Sequence, residues 1–353
     1  MIERIDDENV WDKLKNDGKP VIIYGMGNAA DRIINILEEK GVAVSDIFAS
    51  DEFVRGHSFR GMKVKKYSDI CDDYSDFNVV LAFASHLDNV LKNIKRINDE
   101  HTVYAPDIPV AGNGLFTREF VEEHDEEFDF VYNRLGDEES RRVYLDVIRY
   151  KVSGKVEYLY NCFCNKNSVY SDILKLTDNE FIVDMGAYDG DTIREFTSYT
   201  QGKYNGIIAM EPDAKNFRKL KRNTEGMQGV RLYNIAAWNK KEKLSFADTS
   251  ARSAHIAKSG NEVDACDLDS LAENENVTLI KMDIEGCEKA ALCGAEKTIR
   301  RCHPKLYVCA YHRNEDLFEL PKKILELDNS YKLYFRHSVY IPAWESNFYC
   351  VKH

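Results

Sequence analysis

No run of this chain is apolar for long enough to cross a bilayer as a helix, which takes about 20 residues. The opening Met1-Ile-Glu-Arg-Ile-Asp-Asp-Glu8 has no basic leader followed by an apolar core. No secretion signal is therefore expected, and the chain is expected in the cytoplasm. Positive charge is in short supply: 48 Lys and Arg stand against 60 Asp and Glu, a net charge of −12. That balance argues against a nucleic-acid partner, which usually needs a basic footprint. No Asn-Pro-Pro-Tyr-like motif for a flipped base is present either. The nine cysteines are odd in number and scattered, and Cys162-Phe-Cys164 is too tight for a usual zinc pair and has no answering pair. They are expected to be reduced thiols that mostly pack, with no structural metal. Internal repeats and low-complexity tracts are lacking as well.

What remains is an ordinary globular balance, with 44% hydrophobic and 31% charged residues over 353 positions. That length suffices for two hydrophobic cores. Apolar strand-like runs alternate with helical periodicities in both halves, so the expected class is α/β with two Rossmann-like sheets.

The densest signal is Phe181-Ile-Val-Asp-Met-Gly-Ala-Tyr-Asp-Gly190, followed by Ile207-Ile-Ala-Met-Glu-Pro212. An apolar strand ends in an acid and a glycine-rich turn, and the next strand ends in a second acid. Gly186 and Gly190 would let the backbone approach a ligand closely, with Ala187 and Tyr188 between them. Asp184 and Asp189 are poor partners for a phosphate and good ones for the sulfonium and ammonium of S-adenosylmethionine. Glu211 is expected to accept hydrogen bonds from ribose hydroxyls. Val230–Ala236 reads as a third strand, with Ala236 and Ala237 small enough to pack against an adenine. Thr278–Gly286 reads as a fourth strand that ends in Asp283 and Glu285, followed by one helix from Cys287 to Arg301. Lys305–His312 is a fifth strand delivering His312. A helix over Leu317–Leu327 and strands over Tyr331–His337 and Asn347–Val351 complete the sheet. Ligands in such sheets bind outside the strands' carboxyl ends, where Asp184, Glu211, Asp283 and His312 all fall.

The run Ile280-Lys-Met-Asp-Ile-Glu-Gly-Cys-Glu288, then Gly294-Ala-Glu296 and Tyr311-His312, resembles the FkbM family of S-adenosylmethionine-dependent methyltransferases. Arg336-His337 and Trp344-Glu345 are similar to that family's C-terminal end. The resemblance covers roughly Phe181 to the C-terminus, and Cys287 stands where many relatives have a small residue. It implies a class I seven-stranded fold that methylates a hydroxyl, often on a sugar, nucleotide-sugar or glycan-related acceptor.

Methyl transfer to a hydroxyl needs in-line positioning and a base. A neutral His312 is the expected base, given an unperturbed imidazole pKa of about 6.5. Asp283 is the alternative base or orienting group, and Glu285 is expected to hold Lys281, His312 or the substrate. A divalent cation on Asp283, Glu285 and His312 is a further alternative to a metal-free site.

The N-terminal half carries a second pattern. Pro20–Tyr24 is an apolar strand, Gly25-Met-Gly27 a tight turn, and Asp31–Lys40 an amphipathic helix. Val42–Ala49 is the next strand, and Asp51 follows at dinucleotide-fingerprint spacing. Val79–Ala84 reads as a further strand. Gly25, Gly27 and Asp51 form a candidate nucleotide loop, but the same turn serves packing in domains that bind no NAD. No Tyr-x-x-x-Lys pair supports an oxidoreductase, and nucleotide-sugar binding or docking is the other reading. His57, Arg55 and Arg60 lie in a polar loop, either facing a phosphate or solvated. The acid cluster Glu122–Asp129 reads as a solvated helix face, and Asp137–Tyr150 as a helix. The resulting plan has a Rossmann-like unit at 1–112, a helical connector at 113–178 and a methyltransferase unit at 179–353. A non-catalytic binding protein and a bifunctional, NAD-linked protein are the competing functions.

Overall fold

Four strands of almost wholly buried residues begin the chain: β1 (Val21–Tyr24), β2 (Val44–Phe48), the later β5 (Asn78–Leu81) and the short β6 (Val103–Tyr104). They form a parallel sheet in the order β2-β1-β5-β6. Buried on both faces, such strands read as continuous apolar runs rather than alternating ones, as Val-Ile-Ile-Tyr and Asn-Val-Val-Leu do here. A small hairpin, β3 (Ser58–Phe59) with β4 (Met62–Lys63), projects after β2. This computed structural model describes residues 1–54, 56–246 and 261–352.

The second sheet has eight strands. They are β7 (Phe163–Cys164), β8 (Phe181–Met185), β9 (Gly206–Met210), β10 (Val230–Tyr233), β14 (Leu279–Met282), β15 (Lys305–Cys309), β16 (Lys332–Ser338) and β17 (Ser346–Val351). The order is β10-β9-β8-β14-β15-β17-β16-β7, with β17 antiparallel to both its neighbours. Residues from Phe181 onward thus supply seven strands, and the two-residue β7 from the connector extends the sheet beside His337 and Ser338. The third strand stops at Tyr233, and Ala236–Ala237 is a separate strand, β11. It pairs with β13 (Asn261–Cys266), which is in turn antiparallel to β12 (Glu242–Phe246). The expected single helix after Glu285 is two, Glu288–Gly294 and Glu296–Cys302, broken at Ala295.

The helix Glu138–Ser153 joins the sheets. Asp137 caps its start by accepting from Ser140 N, and Gly154 at φ 67° ends it in the left-handed conformation. Val143, Tyr144 and Val147 lie on its buried face, in one cluster that runs from Ile22 and Tyr24 to Phe335 and Phe348. Two tyrosines fasten its ends: Tyr144 Oη donates to Leu317 O at 2.9 Å and Tyr150 Oη to Ala105 O at 2.7 Å. The acid cluster before it is only partly a solvated face, since Phe128 within it is fully buried.

The carboxyl-end loops of the two sheets meet. Ser85, beyond β5, exchanges backbone hydrogen bonds with Ile341, beyond β16, and Ala111 N, beyond β6, donates to His312 O, beyond β15, at 2.8 Å. Among the described residues no helix is long and apolar enough to cross a membrane.

Candidate active site

The loop after β8 is held by backbone geometry. Gly186 sits at φ 81°, and a Cβ there would run into the backbone oxygen of Asp283. Only glycine satisfies both constraints. Gly186 N and Ala187 N both donate to Met210 O, at 2.9 and 3.0 Å, which stitches the loop to β9. Ala187 is fully buried, and Gly190 at φ 87° precedes the helix Asp191–Tyr199. Tyr188 is a non-glycine residue at φ 47°, and the ammonium of Lys219 lies 5.2 Å from the centre of its ring.

Glu211, 6% exposed, ties this loop to the next. Its Oε2 accepts from Tyr188 N and its Oε1 from Asp213 N, both at 2.8 Å. Burial pushes its carboxyl up to about 7, with those two N–H groups pulling the other way. An ionised carboxylate has about four acceptor positions, so each oxygen keeps one for a ligand.

Asp184 lies elsewhere than its motif position implies. It is fully buried, and its Oδ1 stands 3.2 Å from Lys281 Nζ. The cause is sheet register: β8 and β14 are parallel with Asp184 beside Lys281, so both side chains leave the same face. Lys281 also donates to Gly186 O at 3.0 Å and lies 3.7 Å from Asp283 Oδ2. Burial would lower its pKa, but the two carboxylates outweigh burial and hold it charged. Asp184 is thus paired with Lys281 beneath the loop. Asp189 also has a partner, Arg194 at 3.0 Å. Ala236 and Ala237, both 5% exposed, lie in the small sheet beside Ala265 and Cys266 and not at the end of the third strand.

Asp283, Glu285 and His312 converge. His312 Nε2 is 3.3 Å from Asp283 Oδ1 and 3.8 Å from Glu285 Oε2, and Nδ1 is 2.9 Å from Glu288 Oε1. The imidazole is 1% exposed. Burial would lower its pKa, but Glu288 and Asp283 outweigh burial and hold it well above the ordinary value. Both ring nitrogens face carboxylates, which favours the protonated ring over the neutral base expected from the sequence. Glu288 was not singled out in the sequence as a site residue. Its signal is the second acid of Glu-Gly-Cys-Glu, at the first position of the helix behind the loop.

The two other acids differ sharply. Asp283, with a side chain 29% exposed, lies against cations; Lys281 and His312 overcome the cost of desolvation and hold its carboxyl well below the usual range. Tyr311 Oη donates to its Oδ1 at 3.0 Å. Glu285 has a side chain 28% exposed and a backbone φ of 54°, strained for a residue with a Cβ. Burial pushes its carboxyl up to about 7; His312 opposes the shift, and the carboxylates of Asp283, Glu288 and Glu211 add to it. The two acids thus titrate on opposite sides of their ordinary range.

Among the described residues, the group whose ligand atoms could converge on a cation is Glu288, His312 and Asp316, all buried and within 4.8 Å of one another. It is not the set Asp283, Glu285 and His312 read from the sequence.

The N-terminal turn is occupied by its own packing. Gly25 and Gly27 both have φ 116°, and a Cβ on Gly25 would lie 2.7 Å from the ring of Phe83. Tyr24 stacks on Phe48 with ring centres 4.4 Å apart and meets Phe83 edge-on at 4.8 Å. Asp51 is exposed in the single turn Asp51–Phe53. Arg60 pairs with Asp31 at 2.8 Å, while His57 is exposed and Arg55 lies outside the described residues.

No curated protein matches the sequence. Among solved structures, the chain is similar to a methyltransferase FkbM from Methylobacillus flagellatus KT. The identity is 20% and the TM-score 0.74, over 98% of this chain and 94% of that one. An rRNA methylase from Streptococcus thermophilus aligns at 14% identity and TM-score 0.36, over 53% of this chain and 93% of that one. Fibrillarin from Aeropyrum pernix, solved with natively bound S-adenosyl-L-methionine, aligns at 13% and 0.35, over 53% and 73%. Residues 184–333 match the family model described as the methyltransferase FkbM domain.

Proposed function

We propose that the chain is an S-adenosylmethionine-dependent O-methyltransferase acting on a hydroxyl of a sugar, nucleotide-sugar or glycan-related acceptor. The observation that carries this is the placement of Glu285: a partly exposed carboxyl raised to about 7, beside a buried cation, at the strand ends that hold the Gly186–Gly190 loop.

The donor set fits a cationic cofactor better than a phosphate-bearing one. The carboxylates of Glu211, Asp283 and Glu285 line this edge, while the lysine among them, Lys281, is 3% exposed and committed to Asp184, Gly186 and Asp283. Glu211 has acceptor capacity left for ribose hydroxyls, and the Gly186–Gly190 loop allows close backbone approach. When bound, S-adenosylmethionine supplies an electrophilic methyl group on a positively charged sulfur.

The residues divide the remaining work. Glu285 accepts the acceptor hydroxyl's proton as the oxygen becomes nucleophilic; a base pKa near the working pH suits that task. Asp283 stays ionised, with Tyr311 and His312 fixing its orientation. His312 and Glu288 set the charge and the position of both acids. The acceptor class is supported by aromatic surface on the same edge. His86, Tyr340 and Trp344 form a row with ring centres 5.7 and 6.0 Å apart, and such faces suit sugar rings. A base at the site favours methyl transfer to oxygen, because a hydroxyl is a poor nucleophile until it loses its proton.

The test is incubation with methyl-labelled S-adenosylmethionine and a panel of nucleotide-sugars and glycans. Label should reach a hydroxyl acceptor with wild-type protein and be nearly lost in Glu285→Gln. A calorimetric titration that finds no binding of S-adenosylmethionine or S-adenosylhomocysteine would overturn the reading.

A further inference from the structure

Arg313 follows His312 directly, and its side chain lies across the loop that carries Glu285. Its Nε donates to Gly286 O at 2.8 Å. Gly286, at φ 90°, makes room for this: a Cβ there would stand 2.8 Å from that same Nε and 2.9 Å from Ala111 Cβ. On the other side Arg313 reaches the turn Ala111–Gly114, where its Cγ and Nη1 are each 3.9 Å from the place a Cβ on Gly112 would take. The turn itself is fixed by Ala111 N on His312 O and by Asn314 Nδ2 on Gly114 O at 3.4 Å. Gly286 thus leaves the guanidinium a slot between the first unit's exit loop and the Glu285 loop.

The slot leaves the cation unneutralised. Arg313 is exposed, and among the described residues no carboxylate lies within ion-pair distance of it. The near acids have other partners: Glu288 and Asp283 face His312, and Asp316 Oδ2 accepts from the backbone N of Arg313 rather than from its side chain. A guanidinium has five N–H donors in a planar fork matched to carboxylate and phosphoryl oxygens. One of the five is used here, so the fork is anchored at Nε with its Nη edge open.

We propose that Arg313 is an anion subsite of the acceptor pocket, formed jointly with the Ala111–Gly114 turn, and that it binds a carboxylate or phosphoryl group carried by the substrate. The proposal rests on the methyltransferase reading for the word acceptor, and on Arg313's own geometry for the anion. It narrows the substrate class to acidic sugars or sugar phosphates. It also gives the N-terminal unit a part in the site, because the turn that walls the subsite comes from its last strand.

The test is arginine modification by phenylglyoxal, read per residue by mass spectrometry on the full chain. Inorganic phosphate and acetate are the competing probes, and the exposed Arg218 and Arg222 are internal references. Phosphate at ten times its Kd should slow Arg313 labelling about tenfold relative to those two, by simple occupancy. Protection by acetate and not by phosphate would keep the subsite and assign it to a carboxylate. Equal labelling of all three arginines under both anions would overturn the proposal. As a second measurement, the protecting anion should raise the melting temperature of wild type and lose that effect in Arg313→Gln; an undiminished shift in the variant would also overturn it. S-adenosylhomocysteine binding is measured on the same sample. Protection without cofactor binding would sink the methyltransferase reading and leave the anion subsite standing, and binding without protection would do the reverse.

Discussion

Glu288 Oε1 stands 2.9 Å from Nδ1 of His312, deep beneath the loop that presents Glu285. This pair decides the chemistry above it. With a buried carboxylate behind it and Asp283 in front, the protonated form of His312 is favoured, and of the two acids before it the one raised to about 7 is Glu285.

Replacing Glu285 by Gln should lower turnover by about 10²–10⁴, the usual contribution of a positioned base. S-adenosylhomocysteine affinity should stay within about twofold, because no contact of Glu285 with the Gly186–Gly190 loop is required for binding. Wild-type kcat should rise with pH through about 7 as Glu285 ionises, and the variant should lose that limb. Steady-state kinetics from pH 5.5 to 8.5 would check it, and an unchanged profile in the variant would assign the base elsewhere.

The same residue makes a stability prediction of opposite sense. Its folded pKa of about 7 lies above the ordinary glutamate value, so the native state binds the proton more tightly than the unfolded chain does. Stability from this group is complete below pH 4 and is lost as pH rises through 7. Glu285→Gln should therefore gain on wild type across that window, by up to ~3 kcal/mol at pH 8. Urea unfolding at pH 5 and pH 8 measures the difference, and a pH-independent gap would contradict it.

His312→Ala should destabilise the protein by about 3–5 kcal/mol, because it removes the cation that Glu288 and Asp283 share. Loss of activity in this variant should accompany a lower melting temperature. Intact stability with abolished turnover would instead favour a direct proton-transfer role.

Glu211→Ala should weaken S-adenosylhomocysteine binding by more than the ~1.5–3 kcal/mol expected for one charged hydrogen-bond partner. The excess arises because Glu211 also holds Tyr188 N and Asp213 N in place. Calorimetry at pH 8 would show it, and an unchanged affinity would remove Glu211 from the cofactor site.

NAD should leave the melting temperature unchanged. The ring of Phe83 packs against Gly25, and Asp51 is exposed in its own turn rather than directed at the loop. A ligand that binds only the folded state would raise it. A clear NAD-dependent rise would revive a dinucleotide site in the first sheet.

The sequence by itself determined the parts of this protein that depend on local pattern. Short, largely apolar runs such as Phe181–Met185 and Gly206–Met210, bounded by glycine-rich turns, read as strands buried on both faces. The glycines at 186 and 190 mark positive-φ turns, which few other residues tolerate. The spacing of Asp283, Glu285 and His312 after two such strands placed them at one edge of a sheet, because parallel strands share a carboxyl end. Tertiary structure decided what those residues face. Asp184 turned to Lys281 because two strands pair in a register that neither encodes alone. The protonated form of His312 is favoured because Glu288, 24 positions earlier in the chain, reaches it from the helix behind the loop. Ala111 reached His312 because a helix of the connector packs both sheets into one core. Protonation state and partner choice depend on burial and on charges a few ångströms away in space, and distance in space is the quantity a linear pattern does not contain.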